Sequence, residues 1–297
     1  MEGRVRAVTD QKIINHGGVS GGKDSAALML WMVHESGYDP ETLRFSMTDT
    51  GNEAPETYEY IQLLHCKVHP ITIIKPPLDF YELAKKKGRF PSSQARFCTQ
   101  ELKMKPTKAY LDGLMADGYT VINHSGVRAS ESADRAKLEE REPAWLSFFG
   151  CENYRPLLRW TLADVWAIHA RYSIPPNPLY AKGCTRVGCL PCVMSRKSEM
   201  AVFARQFPER IDRIREVEEA GKGGRLGAMT FFPPSHIPIR YRTGQVCENK
   251  KGQVIKLTMI DDVVRWAEEG TSAITGRLDF DDLDEPPTCD SRSGLCE

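Results

Sequence analysis

The segment Ser20-Gly-Gly-Lys-Asp-Ser25 constrains the fold of this chain more than any other feature. It follows a short apolar run that starts at Ile13, and it precedes a helix-like run, Ala26–Val33. Glycines let backbone N–H groups approach an anion closely, and a helix N-terminus adds roughly half a positive charge. The spacing differs from that of the common P-loop, which has four residues between its first glycine and Gly-Lys-Ser/Thr. The sequence therefore predicts a phosphate site on a strand–loop–helix unit, with Lys23 supplying a further positive charge.

Composition limits the classes of protein that this chain can represent. With 297 residues it can form one large domain, or one domain with a smaller appendage. A net charge of +0 gives no overall field to attract nucleic acid or an anionic membrane. No apolar run approaches the roughly 20 residues of a membrane span, and the N-terminus lacks the apolar region of a signal peptide. We expect a cytoplasmic protein without a membrane partner, in which nine cysteines indicate metal, cluster or redox chemistry before disulfides.

Residues 12–160 alternate between β-branched apolar clusters and helical runs, which predicts an α/β fold: a parallel twisted sheet with helices on both faces. A smaller α-rich region is expected to follow it. The predicted strands are Lys12–His16, Leu43–Thr48, Val68–Ile74, Thr120–Asn123 and Val254–Leu257. The predicted helices are Asp24–Glu35, Pro55–His65, Asp79–Lys87, Thr99–Asp117, Ser130–Glu140, one capped by Thr161 and Asp164, Arg196–Ala220 and Ile260–Glu269. The predicted domains are residues 1–200 for nucleotide binding, 201–278 as a helical and irregular extension, and 279–297 as a mobile acidic tail.

Two further polar loops follow predicted strands, where ligands of parallel sheets bind. In the first, Asp49 can accept a hydrogen bond from an adenosine hydroxyl or hold a metal, and Asn52 and Glu53 are further candidates for nucleotide binding, although an Asx-type turn explains the same residues. In the second, Gly126 permits a tight turn and Arg128 can bind an anion in a bidentate manner. Glu131 can orient that arginine or bind metal; the alternative is an exposed helix start with charge pairs such as Glu131–Arg135.

The cysteines suggest a metal site. Cys189 and Cys192 form a C-x-x-C pair, Cys184 lies five residues upstream, and Cys98 lies far away in the sequence. Four thiolates suit an iron–sulfur cluster or a structural Zn²⁺, whereas the alternative is a lone dithiol with two ordinary buried cysteines. Near the C-terminus, Cys296 can act as a nucleophile or sulfur carrier, or it is an incidental exposed thiol.

These motifs resemble the PAPS reductase-like family of the adenine-nucleotide α-hydrolase superfamily, over about residues 12–200. The resemblance rests on the first loop together with five further motifs. These are Asp49-Thr-Gly-Asn-Glu53, Cys98-Thr-x-x-Leu-Lys103, Gly126-Val-Arg128 with Glu131-Ser, Trp160-Thr-x-x-Asp164-Val-Trp166, and the run from Asn177-Pro-Leu-Tyr180 to Gly188-Cys189-x-x-Cys192. It implies a PP-loop fold in which the loop holds the β,γ-phosphates of ATP. The expected loop ligands are Ser20, Gly21, Gly22, Lys23, Asp24 and Ser25.

Within that family, the motifs are most similar to the sulfurtransferase-like members of DNA phosphorothioation systems. That resemblance implies cleavage of ATP to AMP and pyrophosphate with Mg²⁺, and a [4Fe–4S] cluster on Cys98, Cys184, Cys189 and Cys192. Lys23, Lys103 and Arg128 would stabilise negative charge, a cysteine desulfurase would be a possible sulfur donor, and a nucleic acid a possible acceptor.

Two other functions stay open at this point. One is a thioredoxin-dependent PAPS or APS reductase, in which Cys296 attacks the sulfur of the substrate. The other is a non-catalytic nucleotide-binding module with structural zinc.

Overall fold

The computed structural model of the protein describes residues 12–221, 229–248, 252 and 254–269. Within these residues a six-stranded sheet has the order β3-β2-β1-β4-β6-β5. All neighbouring strands are parallel except β5, which pairs antiparallel with β6 at the edge. The strands are β1 (Ile13–Gly18), β2 (Leu43–Thr48), β3 (Ile71–Ile74), β4 (Thr120–His124), β5 (Arg141–Glu142) and β6 (Glu152–Tyr154). The α/β class and the mostly parallel sheet predicted from the sequence are confirmed.

Helices cover both faces of this sheet. The helices are α1 (Lys23–His34), α2 (Pro55–Lys67), α3 (Phe80–Lys87), α4 (Lys105–Ala116), α5 (Leu162–Arg171), α6 (Pro178–Ala181), α7 (Lys197–Gln206), α8 (Pro208–Ala220) and α9 (Ile260–Glu268). Alternate residues of β2 divide between the faces. Phe45 and Met47 pack with α1 in one apolar cluster, whereas Thr48 contacts Thr107 of α4 on the other face. This alternation is the period of two that a strand imposes on its side chains.

Several predicted elements are confirmed at close to their predicted bounds. Strand β2 occupies Leu43–Thr48 as predicted. Helix α5 begins with the expected cap, because Thr161 Oγ1 accepts from the backbone N–H of Asp164, and a carboxylate oxygen of Asp164 accepts from the backbone N–H of Thr161. The predicted helix Thr99–Asp117 begins with a π-helical turn, Thr99–Met104, before α4.

Two predicted helices are wrong. The helix predicted over Ser130–Glu140 is replaced by two 3₁₀ turns, Ala129–Glu131 and Arg135–Lys137, because Glu131 is turned inward to bond Arg128 N and to pair with Arg135. The helix predicted over Arg196–Ala220 is two helices, α7 and α8. Pro208 lacks an N–H and disfavours helical geometry in the residue before it, and Phe207 accordingly has φ −139° and ψ 55°.

The C-terminal elements pack against the region that carries the cysteines. One apolar cluster contains Leu102, Leu190, Met200 and Val263, so residues on both sides of position 200 share a core. A separate two-stranded sheet pairs β7 (Val246–Glu248) with β8 (Val254–Lys256). The predicted tail, 279–297, lies outside the described residues. Among the helices that the structure describes, none has the length and apolar character needed to cross a membrane.

Candidate nucleotide and thiol site

The segment Ser20–Ser25, which joins β1 to α1 and which we call the phosphate loop, has the tight conformation that the glycines predict. Ser25 Oγ accepts from the backbone N–H of Ser20 at 3.2 Å and donates to the carbonyl of Gly22 at 3.0 Å. Gly21 has φ +84°, and a Cβ added to it would lie 2.9 Å from a methyl carbon of Thr57. A side chain at this position would therefore be strained both by the backbone and by the neighbouring helix.

Residues far along the chain hold this loop in place. Asn177 Nδ2 donates to the carbonyl of Gly21 at 3.2 Å, and the Lys23 N–H donates to the hydroxyl of Tyr180 at 3.0 Å. His169 Nε2 donates to the carbonyl of Lys23 at 2.8 Å. Asn177 and Tyr180 belong to a motif that the sequence singled out, but their contact with the loop required the fold. His169 carried no sequence signal.

Asp24 is the centre of a buried charge cluster. Its side chain is 1% exposed, and its two carboxylate oxygens pair with Lys23 Nζ at 2.9 Å and with Arg128 Nε. Burial by itself would raise the pKa of Asp24, but the charges of Lys23 and Arg128 outweigh it and hold the pKa below its ordinary value. The carboxylate is therefore ionised, and it links the phosphate loop to the loop that follows β4. Gly126 permits this approach, since a Cβ there would lie 2.8 Å from the carbonyl oxygen of Asp24.

The carboxylate of Glu131 makes its contacts with other residues of the protein. Its carboxylate accepts from the Arg128 N–H at 2.8 Å and pairs with Arg135, whose side chain is 1% exposed. The Glu131–Arg135 pair named as an alternative does form, but it is buried instead of lying on an exposed helix. Glu131 thus fixes the backbone of Arg128, while Arg128 Nη1 donates to Ser130 Oγ at 2.9 Å.

A cleft, which we call the nucleotide cleft, lies beyond the carboxyl ends of β1 and β2. It opens directly beside the phosphate loop, where a doubly wound sheet binds its ligand. Hydroxyl groups, a carboxyl group and an ammonium group line it. The lining residues are Gly18, Val19, Ser20, Ser46, Met47, Thr48, Glu53, Lys103, Thr107 and Gly188.

The Asp49–Glu53 loop is tied to the cysteine loop. Asn52 is fully buried; its Nδ2 donates to the carbonyl of Pro191 at 3.1 Å, and its carbonyl accepts from the Leu190 N–H at 2.8 Å. Glu53 accepts from the N–H and the hydroxyl of Thr50 at 3.0 and 2.6 Å. Burial raises the pKa of Glu53, although Lys103 and the Thr50 hydroxyl act in the opposite direction. Glu53 lines the nucleotide cleft, whereas the amide of Asn52 is occupied within the protein.

Asp49 forms the Asx-type turn that was the alternative to a role in nucleotide or metal binding. Its Oδ1 accepts from the Gly51 N–H at 3.0 Å, as in an Asx turn, and from the hydroxyl of Tyr58 at 2.6 Å. Asp49 is not among the residues that line the nucleotide cleft.

Three of the four predicted cysteine ligands line one cavity, which we call the thiol cavity. These are Cys98, Cys189 and Cys192. Burial raises the pKa of Cys189, while Lys103 lowers it. Cys184 does not line this cavity; it is fully buried in the apolar core, and burial raises its pKa to about 12. The donors are thus of the soft kind that iron–sulfur clusters and zinc take, but they fall one short of the predicted four.

The described residues contain no group of three or more His, Cys, Asp or Glu side chains arranged closely enough to hold a metal ion. The three thiols share the walls of a cavity without converging on one point. Cys296, predicted as a catalytic residue, lies outside the described residues.

Lys103 and Gly188 line both the nucleotide cleft and the thiol cavity. The two spaces are therefore neighbours, and Lys103 borders both. Lys103 comes from the π-helical turn before α4, five residues after Cys98. Its charge acts on Glu53 and on Cys189, since it lowers the pKa of each.

Comparison with known proteins identifies the family of this chain. Residues 17–195 match the family described as the phosphoadenosine phosphosulfate reductase domain, and they make up more than half of the chain. The chain belongs to this family. Within the PAPS reductase domain family, it is 36% identical over 278 residues to an uncharacterised 37.8 kDa protein of Escherichia phage 186, covering 77% of this chain and 82% of the phage protein.

Other members carry names that describe a reaction. The chain is 31% identical over 160 residues to an adenosine 5′-phosphosulfate reductase of Allochromatium vinosum, covering 50% of this chain and 58% of the relative. Among solved structures, a phosphoadenylyl-sulfate reductase from Candida auris in complex with phosphate matches with a TM-score of 0.46 and 21% identity, over 63% of this chain and 85% of that chain. The match over residues 17–195 confirms the family that the motifs predicted.

Proposed function

We propose that this member of the PAPS reductase domain family cleaves ATP at the α-phosphate and uses the activated acceptor for sulfur transfer. The observation that carries the proposal is the shared wall of the nucleotide cleft and the thiol cavity at Lys103. An enzyme that joins nucleotide chemistry to sulfur chemistry needs both spaces within reach of one substrate. The intact loop from Ser20 to Ser25 supports ATP, because it provides for β- and γ-phosphates that a sulfonucleotide lacks.

The proposed reaction replaces an acceptor oxygen by sulfur and does not change the oxidation state of the acceptor. An acceptor oxygen attacks the α-phosphorus, the bond to the bridging oxygen breaks, and pyrophosphate leaves on the phosphate loop. Sulfur at the sulfide level then displaces AMP, which carries away the acceptor oxygen. A cysteine desulfurase together with a thiol reductant is the class of donor that supplies such sulfur. Mg²⁺ is expected to accompany the ATP phosphates.

The residues of the chain have distinct tasks in this scheme. Lys23 and the N-terminus of α1 bind the leaving pyrophosphate. Lys103 stabilises the charge that develops between the nucleotide and the sulfur, because it borders both spaces. Arg128 is held by Asp24 and Glu131, and it adds a fixed positive charge beside the loop.

Cys98, Cys189 and Cys192 are the residues that would hold a [4Fe–4S] cluster or Zn²⁺, and to do so their thiols would have to converge more closely than they do in this structure. A cluster there would supply a site for binding sulfur, whereas zinc would serve as a structural ion. Iron and zinc analysis of anaerobically purified protein, together with its absorbance near 400 nm, separates the cluster, the zinc and the bare thiols.

The test of the main proposal uses α-labelled ATP with candidate DNA and tRNA acceptors. We expect AMP and pyrophosphate to form, and Lys103→Met to reduce their formation by about 100-fold, which is the typical effect of removing one group that stabilises transition-state charge. Lys105→Met is the matched control, since Lys105 lies on the same segment but pairs with Glu101 at 2.8 Å. Absence of AMP and pyrophosphate with every acceptor would overturn the proposal.

A second candidate is sulfonucleotide reduction, which the named reductase among the relatives favours. In this reaction Cys296 attacks the sulfur of APS or PAPS, the nucleotide leaves, and a protein S-sulfonate forms. A thiol of thioredoxin then releases sulfite and leaves a disulfide. We expect the protein to release sulfite and Cys296→Ser to abolish this release. Cys289→Ser is the control and should leave the release intact. Release of sulfite by both variants would exclude this mechanism.

A further inference from the structure

A ladder of hydrogen-bonded side chains crosses the sheet on the face covered by α4. It has one member from each of five neighbouring strands. Ser46 Oγ lies 2.8 Å from His16 Nε2, and His16 Nδ1 lies 2.7 Å from Asn123 Oδ1. Asn123 Nδ2 donates to Asn153 Oδ1 at 2.8 Å, and Asn153 Nδ2 donates to Glu142 Oε2 at 3.0 Å. We call this set the sheet ladder; it runs from the edge strand β5 to the nucleotide cleft.

The far end of the sheet ladder sets the direction of every bond in it. Arg155 Nη2 pairs with the Glu142 carboxylate at 2.5 Å. Burial would raise the pKa of Glu142, but the hydrogen bonds from Asn153 and Arg155 hold it below its ordinary value. An ionised carboxylate accepts and does not donate. Asn153 must therefore turn its NH₂ group toward Glu142 and its carbonyl oxygen toward Asn123.

The same logic continues to the cleft. Asn123 uses its NH₂ group on Asn153, so its carbonyl oxygen faces His16 and must accept from Nδ1–H. His16 is completely buried and burial lowers its pKa to about 4, so the ring is neutral and Nε2 carries no proton. Nε2 must therefore accept the hydroxyl proton of Ser46. Each bond polarises the next, which strengthens the direction of the whole set.

We propose that Ser46 faces the nucleotide cleft as an obligate hydrogen-bond acceptor, and that it selects a ligand whose nucleoside presents an N–H or O–H donor there. The proposal rests on the proposed function in that the cleft binds a nucleotide. Ser46 lines the cleft, and its single hydroxyl proton is committed to His16. A nucleoside acceptor at the same point would meet the lone pairs of Ser46 and would lose a hydrogen bond. Two donors of ATP have this chemistry, the 6-amino group of adenine and a ribose hydroxyl.

The direction of the ladder has a test that needs no ligand. The ¹⁵N chemical shifts of the His16 ring, assigned by their disappearance in His16→Gln, report which ring nitrogen carries the proton. We expect the tautomer with the proton on Nδ1 at pH 7. The tautomer with the proton on Nε2 would make Ser46 an acceptor from His16 and overturn the proposal.

The selection itself is tested by binding of nucleotides to the full-length protein. Ser46→Ala is expected to raise the Kd for ATP roughly five-fold, as for loss of one neutral hydrogen bond. Ser46→Thr keeps an acceptor oxygen and is expected to bind as the unaltered protein does. Ser36→Ala is the control for stability and folding, because Ser36 Oγ donates to Met32 O at the end of α1, away from the cleft.

Three analogues identify the donor. If the 6-amino group is the partner, Ser46→Ala will not change the Kd of purine riboside triphosphate. If a ribose hydroxyl is the partner, Ser46→Ala will not change the Kd of the analogue that lacks that hydroxyl, either 2′-deoxy-ATP or 3′-deoxy-ATP. An equal effect of Ser46→Ala on all nucleotides, or none on ATP, overturns the proposal. ATP binding with this selectivity but without formation of AMP contradicts only the proposed function, and absence of any nucleotide binding contradicts both.

Discussion

Lys23 and Asp24 are adjacent in the chain and nevertheless form an ion pair, with Nζ 2.9 Å from Oδ2. The second oxygen of Asp24 is bonded by Arg128. A single buried carboxylate thus holds two cations that the sequence assigned to phosphate binding. The cations are thereby pre-positioned beside the Ser20–Ser25 loop, and the three side chains together carry one net positive charge.

Asp24→Asn should destabilise the fold by about 3 to 5 kcal/mol, because it leaves the buried Arg128 guanidinium without its counter-charge. The free energy of unfolding in urea measures the effect. Asp112→Asn serves as the control, since Asp112 pairs with Lys108 on the exposed face of α4 and such pairs contribute about 0 to 1 kcal/mol. Equal losses in the two variants would mean that the Asp24 cluster has no special role in stability.

Gly126→Ala should also destabilise the protein, by about 1 to 3 kcal/mol, because the new Cβ would lie 2.8 Å from the carbonyl oxygen of Asp24. The thermal midpoint should fall, and nucleotide affinity with it. Gly113→Ala gives the opposite expectation. A Cβ at Gly113 meets nothing within 4 Å inside α4, so the substitution should stabilise by about 0.5 to 1 kcal/mol. A neutral Gly126→Ala would refute the close approach.

The cysteines should separate into two classes on replacement by serine. Cys189→Ser should lower the metal content of anaerobically purified protein, since Cys189 lines the thiol cavity. Cys184→Ser should leave the metal content unchanged but cost about 1 to 3 kcal/mol of stability, because it buries a hydroxyl in an apolar core. Cys66→Ser, at an exposed position, should change neither quantity. Loss of metal in Cys184→Ser would contradict this division and would indicate that Cys184 is a fourth metal ligand.

The buried His16 should make the protein less stable in mild acid. Burial lowers its pKa from 6.5 to about 4, so between these values the unfolded chain binds a proton that the folded chain does not. The stability contributed by neutral His16 is present above pH 6.5 and is lost as the pH falls toward 4, by about 3 kcal/mol in total. Urea denaturation at pH 7 and pH 5 should show a smaller pH dependence in His16→Gln. His236→Gln, at an exposed position, should keep the slope of the unaltered protein.

The sequence predicted the elements whose signal is local. Strand β2 and the start of α5 depend on β-branched or apolar alternation and on a capping box, and both were found close to their predicted bounds. The helix over Ser130–Glu140 failed because Glu131 and Arg135 are buried as a pair, which local propensity does not register. The break between α7 and α8 at Phe207 could have been predicted from Pro208.

The site was predicted less completely than the fold. The phosphate loop and the thiols belong to compact motifs, so these residues could be identified from the sequence. The positions that orient them were not: His169 bonds the Lys23 carbonyl from α5, and the sheet ladder needs five strands in register. Cys184 has the spacing of a ligand but the surroundings of a core residue. Spacing specifies which side chains are available, and only packing decides which way they face.

Asn52 carries a consequence for how the two halves of the site respond to their occupants. Its side-chain amide and its backbone carbonyl bond the segment Leu190–Pro191, so a shift of the loop after β2 relative to the cysteine loop would break two hydrogen bonds. Thermodynamic linkage then makes the effect mutual: whatever factor an occupant of the thiol cavity applies to nucleotide affinity, the nucleotide must apply to that occupant. A coupling of this kind would pass through Asn52, a residue that lines neither of the two spaces.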